Sequence, residues 1–115
     1  MVMNYNKYHA QKTEIDGITF DSRKEANRYA VLKILEKGNL VKNLELQKRF
    51  LIVPSIANNY GQKEKAAYYV ADFYYYDVEK GHYVAEDVKG MRTPLYKLKR
   101  KLFIWNNPGI EFIET

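Results

Sequence analysis

A chain of 115 residues that is 46% hydrophobic and 29% charged has the length of one ordinary domain and the balance of a globular fold. It has no cysteine and only two histidines, His9 and His82, which excludes disulfides and thiolate zinc and leaves mainly oxygen ligands for any metal. The net charge of +5 admits an anionic partner. No apolar run nears the ~20 residues of a membrane span, and the opening MVMNYNKYHAQK lacks the apolar centre of a secretory signal, so a soluble, intracellular protein without membrane contact is expected.

In chain order, residues 1–13 read as a flexible basic arm and residues 14–115 as one domain. Ile15, Ile18 and Phe20 around Asp16-Gly17 predict a short hairpin or strand entry over Glu14 to Phe20. Asp21-Ser22 opens a first helix that runs to Glu36 or Lys37, where Gly38-Asn39 stops it. The stretch LELQKRFLIV predicts a strand from Leu44 to Val53, closed by Pro54. Ser55 to Lys65 reads as a loop. Tyrosine-rich Ala66 to Val78 predicts a long strand, Glu79-Lys80-Gly81 a tight turn, and His82 to Val88 the returning strand. Thr93-Pro94 caps a second helix that runs to about Trp105, and a short strand follows over Ile110 to Ile113.

Chemistry concentrates in the hairpin. Asp72 lies within YYVADFYYY, where aspartate is a poor strand former and a buried charge must be compensated. Across the turn, period-2 alternation puts Asp87 and Lys89 on one face and Glu86 on the other, and a hairpin that sets Asp72 beside Asp87 creates a pair of carboxylates fit to share Mg²⁺. Such an ion activates water in phosphodiester hydrolysis, and a neighbouring lysine can stabilise the charge that builds on the phosphate. A strand-edge aspartate and a cross-strand ion pair are the plain alternatives for the same residues, and Glu86 is as readily structural as functional.

The first helix adds Glu25, which shares a stripe with Tyr29 and Leu32 and so faces inward. Ser22-Arg23-Lys24-Glu25 is equally a capping box. On the second helix Leu95, Leu98, Leu102 and Trp105 recur at core spacing and are expected to pack on the sheet. Lys97, Arg100 and Lys101, with Lys99, are expected to gather on another face as a phosphate-neutralising surface or an ordinary solvated one.

Asp72, Glu86-Asp87-Val88-Lys89 and Glu25 together resemble the PD-(D/E)XK nuclease superfamily, and more closely a small phage and prophage domain similar to Holliday-junction resolvases and Tn7-type transposition endonucleases. Lys12-Thr13-Glu14, Asp16-Gly17, Phe20-Asp21-Ser22, Leu44-Glu45-Leu46-Gln47 with Phe50, and Ala71-Asp72-Phe73 extend the likeness over nearly the whole chain. Ala71 stands where the superfamily name has proline. The resemblance implies an α/β fold with a restriction-endonuclease-like αβββαβ core, a central mixed sheet flanked by helices. It implies a DNA endonuclease that uses Mg²⁺ or Mn²⁺, bound by Asp72, Asp87 and Glu25 and assisted by Lys89, and that leaves a 5′-phosphate and a 3′-hydroxyl. Gln47 matches the strand motif and is a candidate DNA or metal-site contact. The setting implied is phage or mobile-element DNA in a host cytoplasm. A homodimer would suit junction resolution, which needs two cuts. The alternative is a nuclease-fold DNA-binding module without activity. A third reading, RNA binding by tyrosine stacking, requires those rings exposed on one sheet face.

Overall fold

The computed structural model describes residues 11–88 and 92–115. A hairpin of β1 (Thr13–Ile15) and β2 (Ile18–Phe20) leads into α1 (Arg23–Lys37). Asp16 (φ 54°) and Gly17 (φ 75°) form the turn, a left-handed pair that matches the twist of a two-residue hairpin. β3 (Val41–Val53), a small hairpin of β4 (Ile56–Ala57) and β5 (Lys63–Glu64), β6 (Ala67–Asp77) and β7 (His82–Asp87) follow, then α2 (Pro94–Asn106) and β8 (Glu111–Glu114). The central sheet has the order β3-β6-β7-β8, antiparallel except for the β7–β8 pair, which α2 connects in parallel. The chain is therefore an α/β protein with an αβββαβ core.

Local chemistry accounts for most boundaries. Ser22 accepts from Glu25 N at 3.1 Å and caps α1, and Thr93 accepts from Tyr96 N at 3.0 Å ahead of a proline in the first turn of α2. Three boundaries differ from expectation. β3 begins at Val41, three residues early, because Val41 and Lys42 pair with Asp77 and Tyr76. The expected loop 55–65 contains β4 and β5. The expected arm ends sooner, since Thr13 is in β1 and Arg23 donates to Gln11 at 2.7 Å; residues 1–10 lie outside the described part.

Two apolar cores occupy opposite faces of the sheet. One joins α1, through Ala26, Tyr29 and Leu32, to Val41, Phe73, Tyr75, Val84 and Val88; the other joins α2, through Phe103, to Ile52, Tyr69, Ala71 and Ala85. Of the expected packing stripe only Leu102 packs against this core, because α2 is rotated away from the other three. Leu95, Leu98 and Trp105 are 61%, 55% and 77% exposed, whereas Phe103 is fully buried. The helix turns Tyr96 and Phe103 inward, seven residues apart, because these rings complete an aromatic cluster with Tyr69, Phe50 and Phe112. Tyr96 and Arg100 then reach Glu114 from the same side.

Candidate active site

The sheet is broken where the candidate residues meet. In β3, Leu44 and Leu46 pack in the α1 core while Phe50 and Ile52, of the same parity, pack in the α2 core. In β6, Tyr69 and Ala71 lie on the α2 side while Phe73 and Tyr75 lie on the α1 side. A regular strand alternates strictly, so both strands exchange faces between those residues. Gln47 and Asp72 stand opposite each other at the exchange, between the bridged pairs Leu46–Phe73 and Lys48–Ala71. Gln47 takes a left-handed backbone (φ 52°), rare for a residue with a side chain and concentrated at functional sites.

Asp72 is held by that distortion. Gln47 Nε2 donates to Asp72 Oδ1 at 3.0 Å, and the backbone N–H of Val88 donates to Oδ2 at 2.8 Å. The β6–β7 register bridges Phe73 with Glu86, so one further step brings Asp72 beside Asp87, as the hairpin reading expects. Burial, then a hydrogen bond shared with the Asp87 carboxyl and its charge, then the charge of Glu25, push Asp72 up to about 7, against the lowering effect of the Val88 N–H. Asp87 is 4% exposed and accepts from the Tyr69 hydroxyl. Burial and then that bond to the carboxylate raise the Tyr69 phenol far above its ordinary value, which keeps it a donor.

Glu25 is half-buried at the start of α1. Its N–H makes the Ser22 half of the capping box, while its carboxylate acts on Asp72 by charge and lines a cavity of about 300 Å³ with Asp21, Phe20, Leu46 and Gln47. Among the described residues no three of His, Cys, Asp and Glu form a ready-made metal cluster. The adjacent carboxylates of Asp72 and Asp87 nonetheless belong to the donor class Mg²⁺ takes, since that ion commonly uses one or two protein carboxylates and fills its remaining positions with water and phosphate. Lys89 lies outside the described residues.

Glu86 is separated from this chemistry. It is completely buried on the α1 face, where Arg28 pairs with both of its oxygens (Nη2 to Oε1, 2.9 Å), Tyr75 donates at 2.7 Å and Thr115 at 3.1 Å. Its lone pairs are thus engaged by a structural ion pair. Arg28 and Tyr69 were missed by sequence reasoning. Arg28 had a weak signal, three residues from Glu25 on one helix, whereas nothing distinguishes Tyr69 from the other ten tyrosines. The expected basic group also divides: Lys97 and Lys101 are exposed, while Arg100 turns inward to pair with Glu114 at 2.9 Å, alongside Arg92 at 3.1 Å.

Neither helix among the described residues is long and apolar enough to cross a membrane. No curated protein and no solved structure matches the chain. A family match does cover residues 5–113, nearly the full length, and the chain belongs to that family, described as Protein of unknown function (DUF1064).

Proposed function

We propose that the chain is a DNA endonuclease of the PD-(D/E)XK type that hydrolyses phosphodiesters with Mg²⁺ or Mn²⁺. The observation that carries this reading is the like-charge pair of Asp72 and Asp87 at the break in the sheet, with Asp72 raised to about 7. Such a pair is costly unless a cation neutralises it, and a carboxylate perturbed by burial and a like-charged neighbour is a candidate functional group. Asp72 and Asp87 would hold the ion, and Glu25, near enough to act on Asp72 by its charge, would complete the site. Such an ion would supply Lewis acidity and lower the pKa of a bound water. Tyr69 and Gln47 keep the two carboxylates in place, and the Val88 N–H fixes the second oxygen of Asp72. Lys89, two residues beyond Asp87, is the proposed stabiliser of charge on the phosphate. Lys97 and Lys101 supply phosphate contacts on α2, and a phage-type role within a cell fits this activity.

The test is cleavage of labelled duplex, single-stranded, flap and four-way-junction DNA with Mg²⁺ or Mn²⁺. Cutting of at least one substrate is expected, with loss in EDTA and a drop of about 100-fold or more in Asp72→Asn, Asp87→Asn and Lys89→Ala, because the lost interactions act in the transition state. DNA binding without cleavage of any substrate would favour the inactive binding module.

A further inference from the structure

A second cavity lies on the α2 side of the sheet, and Tyr69 connects it to the carboxylates. It lies between β6 and the start of α2, measures about 260 Å³, and is lined by Tyr68, Tyr69, Tyr96, Thr93, Leu95 and Lys99 among others. This is just under the roughly 300–1,000 Å³ of pockets for drug-sized ligands, a size suited to one nucleotide unit. Its walls join aromatic rings to a hydroxyl and an ammonium group. The Arg49 guanidinium, exposed on β3, stacks 4.0 Å from the centre of the Tyr68 ring. Tyr69 links the two sites directly, since it lines this cavity while its hydroxyl is bound to Asp87.

We propose that this cavity is a nucleotide subsite, which takes one unpaired base of a DNA strand against Tyr68 and Tyr96 with the adjoining phosphate on Lys99. The proposal rests on the nuclease reading and narrows its substrate class to DNA with an unpaired nucleotide beside the scissile phosphate. A base within an intact duplex is stacked on its neighbours and presents no face to a ring; an unpaired one does, and stacking on tyrosine then adds affinity without reading sequence.

The test measures binding and cutting separately. The whole chain is titrated in EDTA against a DNA strand carrying 2-aminopurine in an unpaired tract, against the same sequence as a blunt duplex, and against free dAMP. The fluorophore should be quenched on binding, and the strand should bind more tightly than either competitor. Tyr68→Leu should weaken strand binding about tenfold and leave duplex binding unchanged, while Tyr68→Phe, which keeps the ring, retains it. Lys99→Gln should lower the salt dependence of strand binding by about one phosphate contact. Wild-type binding in both Tyr68→Leu and Lys99→Gln overturns the subsite, as does dAMP binding as tight as the strand, which would mark a free-nucleotide site. If Mg²⁺ supports cutting that Tyr68→Leu leaves unaltered on every substrate, the subsite falls and the nuclease stands. If nothing is cut but the binding effects hold, the nuclease reading falls and the subsite stands.

Discussion

Asp72 combines an energetic cost with the site's chemistry, and the two can be separated by pH. Its folded-state value of about 7 lies above the ordinary 3.8, so between these values the folded chain binds more protons than the unfolded one. The stability it contributes is fully present below about pH 4 and is lost as pH rises through 7. Melting curves in EDTA should therefore reveal a contribution that declines over this window, and Asp72→Asn should flatten it; parallel curves for the two proteins would mean that the pair is not strained. Glu86 makes a contrasting case. Arg28→Ala leaves a buried carboxylate uncompensated and is expected to cost roughly 3–5 kcal/mol, read as a drop in urea midpoint. Glu86→Gln should lower stability with little effect on the rate per folded molecule, whereas a rate loss like that of Asp72→Asn would return Glu86 to the site.

The strained turn of β3 and the rotation of α2 make predictions about elements. Gln47→Gly removes the penalty of a left-handed residue with a side chain, of order 1 kcal/mol, and also removes the amide that holds Asp72. Cleavage should fall while denaturant stability is kept or raised, a pairing opposite to that of a purely structural strand residue. For α2, Phe103→Ala should cost about 3–5 kcal/mol, whereas Leu98→Lys should stay within about 0.5 kcal/mol of the parent. Comparable losses at the two positions would show that the helix packs through the Leu95–Leu98–Trp105 stripe instead.

At the scale of the molecule, charge divides between a cluster of acids at the sheet break and cations on α2 and β3. A divalent ion that binds only the folded chain should raise its melting temperature, and most clearly above pH 7, where Asp72 is ionised and repulsion is greatest. Asp87→Asn should reduce that gain while stabilising the metal-free protein, a combination that an Asp87–Lys89 ion pair does not produce. A melting temperature indifferent to Mg²⁺ and Mn²⁺ at pH 8 would count against a metal site. Charge reversal at Lys97 and Lys101 should flatten the salt dependence of DNA binding more than reversal at Arg100, whose charge is already directed to Glu114.

The order of elements was legible in the sequence because local rules decide it: Ser22 and Thr93 as caps, Asp16-Gly17 and Gly81 as left-handed turns, and the tyrosine-rich run of β6. The Asp72–Asp87 neighbourhood followed from the short turn between β6 and β7, which sets the register, and Glu86 fell on the opposite face because β7 keeps its period. The exchange of faces at Gln47 and Asp72 was not legible, since it depends on two opposed strands breaking alternation together. The helix stripe misled for a related reason. α2 carries two possible apolar faces, and the choice between Leu98 with Trp105 and Tyr96 with Phe103 was made by the rings of Tyr69, Phe50 and Phe112, which only tertiary packing brings to the helix. Arg28 and Tyr69 likewise acquire their roles from distant partners, Glu86 and Asp87, at separations of 58 and 18 residues. Local backbone preference thus specified the elements, while long-range burial chose which faces meet and which acids remain strained.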